Sequence, residues 1–254
     1  MNPDRHFCSD ASLAAGEPLL GSATTCAELV LVSWPKGSWG DDALASAGLP
    51  DLSPWLAARS AGRKVALRLI SRPGVTRDRC VAMGWPGGWR VEAPPDDLCA
   101  RMDAPTAAAP PALIICTHGR HDACCARHGQ ELADRAREEV ARRGLDLEVW
   151  ESTHLGGHRF AATAIALPSG HMHGRLRPGD AAALVEHVVA GVPLWSHYRG
   201  SIFLREEQQV TAALESFGTP AGSLVRQTYT IPKSCGEAPS PITRVVAAPP
   251  ETPP

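Results

Sequence analysis

Two cysteines and two histidines near the middle of the chain have the side chains that a soft metal prefers. Cys116 and Cys125 are separated by eight residues, and His154 and His158 follow with three residues between them. Thiolate and imidazole donors suit zinc or an iron–sulfur cluster, whereas magnesium and calcium prefer oxygen ligands. This donor set predicts a metal centre.

The composition sets the broad class of the protein. The 254 residues are 44% hydrophobic and 20% charged, which is typical of a globular chain of one large or two ordinary domains. The net charge of −2 supplies no global field for a nucleic acid or an anionic membrane, so we expect neither as a partner. There is no apolar run of membrane-spanning length and no apolar secretory signal, so we predict a cytoplasmic protein.

Eight cysteines are present, and their distribution separates a cluster from single residues. Cys116, Cys124 and Cys125 lie close together among histidines, which favours a metal or redox role over structural disulfides in a cytosolic chain. We interpret Cys8 and Cys26 as non-ligands because no histidine pair matches them. The cysteines that are scattered singly are Cys8, Cys26, Cys80, Cys99 and Cys235.

Strands that alternate with helices predict an α/β protein with helices packed on a sheet. Residues 1–103 are expected to form an N-terminal α/β half, and residues 104–111, which are small and proline-rich, a linker. Residues 112–195 are expected to form the second α/β half. Residues 196–230 are expected to be a helical extension, and residues 231–254, rich in Pro, Ser and Thr, an irregular tail.

The predicted elements of the second half bring the four donors to one end of neighbouring strands. Cys116 closes a strand, Cys125 lies where a helix running to about Arg143 begins, and both histidines follow the next strand. A helix N-terminus favours the negative charge of a thiolate. Three glycines in these loops, which we expect to leave room beside a cluster, are Gly119, Gly156 and Gly157.

At these residues the sequence resembles the sucrase/ferredoxin-like family. The resemblance rests on Cys-x8-Cys followed by His-Leu-Gly-Gly-His-Arg-Phe, over about residues 112–176. It implies a thioredoxin-like ferredoxin domain that holds a [2Fe–2S] cluster. By this resemblance, Cys116 and Cys125 are thiolate ligands, and His154 and His158 replace the second cysteine pair of ordinary thioredoxin-like ferredoxins. The first half, which also opens with strand, loop and helix, is interpreted as a degenerate copy of the same architecture.

The implied ligand set predicts a redox function. Neutral imidazoles in place of two thiolates make a cluster less negative and raise its potential, as in Rieske centres. A second ring nitrogen can gain or lose a proton, so we hypothesise proton-coupled one-electron transfer. We expect an electron carrier with no catalytic residues of its own. Its electrons would come from a separate reductase or a small reductant, because no nucleotide-binding glycine motif is present.

Three other functions compete with this one. A zinc-stabilised Cys2His2 structural or binding domain uses the same donors, although zinc fingers usually space their cysteines by two to four residues. A thiol oxidoreductase would require Cys-x-x-Cys, which is absent. A hydrolase is the weakest alternative, because neither a Gly-x-Ser-x-Gly elbow nor a glycosidase carboxylate pair is recognisable.

Several neighbouring side chains have a structural interpretation beside the functional one. Cys124 is an alternative ligand, but the family spacing selects Cys125, so Cys124 is interpreted as a small thiol at the helix start. His171 and His173 share one face of a strand and are interpreted as a solvated edge rather than a second metal site. Arg159 either tunes the centre or forms an ordinary surface salt bridge.

The nearby histidines interpreted as loop or surface residues are His118, His121 and His128. The first-half tryptophans interpreted as core rather than as a docking surface are Trp34, Trp39, Trp55, Trp85 and Trp89.

Overall fold

The computed structural model describes residues 7–120, 123–218 and 224–248. Within them, ten strands form one mixed sheet, and two more form a separate hairpin. The strands are β1 Glu28–Ser33, β2 Val65–Ser71, β3 Cys80–Trp85, β4 Trp89–Ala93, β5 Ala107–Ala108, β6 Ala112–Cys116, β7 Glu148–Ser152, β8 Ala164–Leu167, β9 His171–His173, β10 Tyr198–Ser201, β11 Leu224–Ile231 and β12 Ser240–Ala247. The α-helices are α1 Cys8–Ala14, α2 Ser53–Arg59, α3 Leu98–Asp103, α4 Ala123–Arg143, α5 Ala181–Ala190 and α6 Glu206–Ser216. Short 3₁₀ helices lie at Lys36–Ser38, Pro95–Asp97, His158–Phe160, Pro178–Asp180 and Trp195–His197.

The two halves of the chain have the same strand order. In the first, β1 pairs in parallel with β2 and antiparallel with β3, which pairs with β4. In the second, β6 pairs in parallel with β7 and antiparallel with β8, which pairs with β9. The mixed α/β class is confirmed, and the first half repeats the topology of the second.

The halves are joined edge to edge into a continuous sheet. Strand β2 pairs antiparallel with β7, with Ile70 opposite Ser152. The backbone N–H of Leu69 donates to the Thr153 hydroxyl at 3.0 Å, which extends this junction by one residue. The expected linker, residues 104–111, contains β5, which pairs with β4.

The alternation of side chains in β6 decides which core each residue enters. Leu113 and Ile115 pack in a core with apolar residues of α4 and α5. Ile114 and Cys116 point to the opposite face, where the core is shared by both halves. Cys116 therefore ends a fully buried strand on the side of the shared core. The first-half tryptophans are core residues, as predicted: Trp34, Trp39, Trp55, Trp85 and Trp89.

Helix α4 begins a few residues earlier than the sequence predicts. It starts at Ala123, so Cys125 lies inside its first turn, and it ends before Gly144, which has a positive φ of 61°. Its buried side includes Leu132 and Ala136, and the remaining surface is rich in charged residues. Among the described residues, no helix combines the length and the apolar character needed to cross a bilayer.

The C-terminal part differs from the expected extension and tail. Among the described residues of 196–230, α6 is the only α-helix, and β10 and β11 are strands. Within residues 231–254, β12 pairs with β11 along its whole length. The β-branched residues of β12, from Ile242 to Val246, favour a strand although Ser240 and Pro241 also belong to it.

Strand β9 is an interior strand whose histidines face an aromatic neighbour, which corrects the expected solvated edge. His173 is 1% exposed, and its Nε2 accepts the backbone N–H of Leu194 at 3.1 Å. His171 and His173 both lie beside the ring of Tyr198. Burial lowers the pKa of His173 to about 3, and the nearby positive side chains of the second half act in the same direction.

We expect His173→Gln to reduce the acid sensitivity of the fold. Unfolded His173 titrates near pH 6.5, but the folded protein resists protonation until about pH 3, so acid favours the unfolded state between these values. The Gln side chain is long enough to offer an acceptor to Leu194 in place of Nε2, but it does not titrate. Urea unfolding at pH 7 and pH 5 should show a smaller loss of the free energy of unfolding in the variant. An equal loss of the free energy of unfolding in both proteins would contradict the lowered pKa of buried His173.

Candidate metal centre

Three of the four predicted ligands meet at the end of two parallel strands. Cys116 is the last residue of β6, and its register partner in β7 is Ser152. His154 follows two residues later, and Cys125 reaches the same place from the first turn of α4. The Sγ atoms of the two cysteines and a ring nitrogen of His154 all lie within 4.8 Å of one another. Both cysteines are buried, and His154 is half-buried.

His158 lies beside this group, but it is not among the donors whose atoms all lie within 4.8 Å of one another. Its ring centroid is 5.0 Å from that of His154, with the ring planes inclined by 41°. It begins the 3₁₀ helix that follows the glycine pair, and its Nε2 contacts the carbonyl oxygen of Lys233. The structure therefore brings three donors into one coordination-sized group and places the fourth at its margin.

The charge state of Cys116 suits metal binding. A hydrogen bond from Cys125 holds the pKa of Cys116 well below its usual range, and His154 adds to this effect, while burial opposes it. The N-terminal dipole of α4 also favours negative charge at Cys125. The soft donor types, their burial and this thiolate character fit a soft metal or an iron–sulfur cluster.

A buried arginine holds the loop between the two histidines. Arg199 of β10 donates to the carbonyl oxygen of Gly156 and to the hydroxyl of Ser22, each at 3.0 Å. Burial lowers the pKa of Arg199 to about 9, while Glu17 and the Cys125 thiolate act in the opposite direction. No local sequence pattern links Arg199 to the histidine loop, so this contact was not predicted.

Arg159 is buried, so it does not form the ordinary surface salt bridge that was one of its two interpretations. Its Nε donates to Glu17 Oε2 at 2.9 Å, and Glu17 is 0% exposed. The Nε of Arg244 reaches the other carboxylate oxygen at 3.0 Å, and the Ser12 hydroxyl donates at 2.8 Å. This buried ion cluster joins the segment after His158 to the N-terminal segment and to β12.

The other histidines near the cysteines occupy different environments. His118 is buried, with its ring at 5.9 Å from Trp39 in an edge-on arrangement, and burial lowers its pKa. His118 therefore lies in the loop after β6, as expected, but it is buried and not a surface residue. Burial lowers the pKa of the half-buried His128 to about 4. His121 lies outside the described residues.

The three loop glycines have a packing role that the sequence did not reveal. A Cβ on Gly156, where φ is +96°, would lie 2.0 Å from Thr24 Oγ1. One on Gly157 would lie 2.3 Å from Arg199 Nη2, and one on Gly119 would lie 2.7 Å from the Cβ of Ala126. These glycines therefore permit close contact with protein atoms.

The model of the sucrase/ferredoxin-like family matches residues 19–200, which is more than half of the chain. The chain belongs to the sucrase/ferredoxin-like family. A curated relative, altered inheritance of mitochondria protein 32 of Debaryomyces hansenii, is 31% identical over 96 residues, which span 35% of this chain and 35% of that protein.

Two solved structures show limited similarity to part of the chain. A thioredoxin-like [2Fe–2S] ferredoxin from Aquifex aeolicus is 15% identical with a TM-score of 0.32, over 35% of this chain and 88% of that one. A second structure, of the wild-type ferredoxin, is 16% identical with a TM-score of 0.31, over 35% of this chain and 94% of that one.

Helix α4 can approach the end of β6 only because Gly129 has no side chain. A Cβ at Gly129 would lie 2.0 Å from the carbonyl oxygen of Cys116, and a backbone oxygen cannot move away without moving Cys116. This contact sets how near Cys125 comes to Cys116.

We expect Gly129→Ala to destabilise the protein by about 1–3 kcal/mol, because the added methyl overpacks a backbone contact. Replacing an ordinary glycine within a helix by alanine would instead raise the free energy of unfolding by about 1 kcal/mol. Gly179→Ala is the matched control, since nothing lies within 4 Å of the position of its Cβ. Urea unfolding measures both. A more stable Gly129→Ala protein contradicts the predicted contact.

Proposed function

We propose that the protein is an electron carrier that holds a [2Fe–2S] cluster through Cys116, Cys125, His154 and His158. The observation that carries the proposal is the group of two buried sulfurs and one imidazole within 4.8 Å, with a second imidazole beside it. When bound, such a cluster supplies reversible one-electron transfer. The family membership supports the same function.

The spread of the donors favours two irons over one zinc ion. A structural zinc ion gathers four donors in one tetrahedral sphere. In a two-iron cluster, the ligands are divided between the irons, as in Rieske centres, where both histidines bind the same iron. The donor types, two thiols and a pair of adjacent imidazoles, match that division, while the His154 ring lies within 4.8 Å of both sulfurs. His158 lies outside that group, so the four donors do not form the single sphere of a structural zinc ion.

The surroundings of His158 support proton coupling. Its Nε2 lies against the carbonyl oxygen of Lys233, so this nitrogen carries the proton and donates it. Nδ1 is then the nitrogen whose lone pair is directed to a metal. We propose that this N–H of the ligating ring loses or regains a proton as the redox state changes.

A cavity beside His154 suits the approach of an electron donor. It has a volume of about 450 Å³ and opens between the two halves of the sheet. Lys64 and Arg68 line it together with Asp41 and Asp42, so it presents charged groups of both signs close to a half-buried ligand. We propose that a small reductant, or a side chain of a reductase, delivers electrons here.

The anaerobically purified protein is expected to be red-brown, with visible bands that bleach on reduction by dithionite and an EPR signal in the reduced state. Cys125→Ser should abolish the bands. Cys124→Ser is the matched neighbour and should retain them, because Cys124 is not in the ligand group. His154→Cys and His158→Cys should each alter the EPR signal and lower the potential, since a thiolate adds negative charge.

A colourless protein with stoichiometric zinc that is lost in both Cys125→Ser and His154→Ala would overturn the electron-carrier function. It would leave a zinc-stabilised structural or binding domain built on the same residues.

Proton coupling predicts that the reduction potential falls as pH rises from 6 to 10. The slope should approach about 59 mV per pH unit where one proton accompanies one electron. His158→Cys should flatten this dependence, because the N–H at Lys233 is removed. Protein-film voltammetry of the two proteins gives the comparison. A wild-type potential that does not change with pH contradicts proton coupling while leaving electron transfer intact.

A further inference from the structure

Three cysteines that the electron-carrier function does not use meet at a second place in the structure. The Sγ atoms of Cys8 and Cys124 are 3.6 Å apart, those of Cys124 and Cys235 are 3.1 Å apart, and those of Cys8 and Cys235 are 3.7 Å apart. The three sulfurs thus form a closed triangle. The sequence gives no hint of this group, because the cysteines belong to the first helix, the middle helix and the loop after β11.

The triangle has the dimensions of one metal coordination sphere. With zinc–sulfur bonds of about 2.3 Å, two sulfurs of a tetrahedral site are about 3.8 Å apart. A disulfide needs two sulfurs at about 2.05 Å and leaves the third without a role. Here the two edges at Cys8, 3.6 and 3.7 Å long, are close to the zinc value, and the third is shorter at 3.1 Å.

The surroundings are closed and apolar. Cys8 and Cys124 are each 0% exposed, and Cys235 is half-buried. Ala161 and Phe7 pack around them, so three sulfurs make up much of a very small core. The Ser9 hydroxyl lies 3.3 Å from Cys124 Sγ, which places an oxygen beside one corner of the triangle.

Helix geometry keeps this group separate from the proposed cluster site. Successive residues of an α-helix are rotated by about 100°, so Cys124 and Cys125 in the first turn of α4 point in different directions. Cys125 faces Cys116 and His154, and Cys124 faces Cys8 and Cys235. One helix turn therefore supplies a donor to each of two groups.

We propose that Cys8, Cys124 and Cys235 bind a zinc ion through their three thiolates, with the fourth position beside Ser9. Thiolate donors select zinc or copper(I) among the common soft ions. Three thiolates leave a net charge of −1 with Zn²⁺ and −2 with Cu⁺, and the smaller charge costs less in a buried site. Binding releases the thiol protons to solvent and changes no oxidation state.

The site would join three distant parts of the chain. Cys8 begins α1, Cys124 belongs to α4, and Cys235 lies in the loop between β11 and β12. The same loop carries Lys233, whose carbonyl oxygen contacts His158. A zinc ion here would hold that loop in place over His158 whether or not the neighbouring site carries iron.

The test measures iron and zinc in the same samples of the full chain, purified anaerobically after expression with both metals. We expect one zinc per chain in the wild type. Cys8→Ser and Cys235→Ser should lose the zinc and keep the iron, whereas Cys125→Ser should lose the iron and keep the zinc. Cys235→His should retain zinc, since imidazole is also a ligand. Cys99→Ser, which belongs to neither group, should keep both metals.

Zinc K-edge absorption of the wild type tests the site without relying on any variant to fold. Three sulfurs at about 2.3 Å and one lighter atom support the trithiolate site. Two sulfurs with two nitrogens place the zinc at the Cys116 group instead and overturn the proposal, as does a wild type that binds no zinc. A Cys124–Cys235 disulfide found by mass spectrometry after anaerobic alkylation also overturns it. Iron content is measured separately, so loss of the cluster proposal and loss of the zinc proposal are distinguishable.

Discussion

The parallel pairing of β6 with β7 is the constraint on which the candidate metal centre depends. It brings the end of β6 and the loop after β7 to one edge of the sheet, with Cys116 in register with Ser152. Helix α4 connects the two strands, and Gly129 lets it pack directly on the carbonyl of Cys116. The first turn of α4 therefore lies beside the same edge. Donors separated by more than thirty residues meet without any irregularity within the strands.

Compensated buried charge is the second requirement of the structure. A buried ion is costly unless an opposite charge and hydrogen bonds accompany it. Glu17 is held by Arg159 and Arg244, and Arg199 lies near both the thiolates and the histidine loop. The ring of Phe160 packs against these guanidinium groups, at 4.7 Å from Arg159 and from Arg199. The N-terminal segment, the histidine loop and the C-terminal hairpin are thereby tied together by charge.

The two donor groups differ in a way that follows from their positions. The Cys116 group sits on the shared core of a ten-stranded sheet, with His158 at its margin, and suits a cluster whose ligands are divided between two irons. The Cys8 group lies where the terminal segments cross the first turn of α4, with little other apolar packing to hold them. In these two proposals, neighbouring residues of one helix serve two chemistries, because the helix turns them to different sides.

The sequence by itself determined the α/β class, most strands of both halves, helix α4 and the family that predicts the four ligands. These features depend on spacing and periodicity over a few residues, which local steric and hydrophobic preferences decide. Only the tertiary structure showed that β2 and β7 join the halves, that β12 pairs with β11, and that Arg159 is buried against Glu17. It alone brought Cys8 and Cys235 to Cys124. Apart from the β11–β12 hairpin, these contacts join residues that are 80 or more positions apart along the chain, and the sequence near either partner carries no trace of the other.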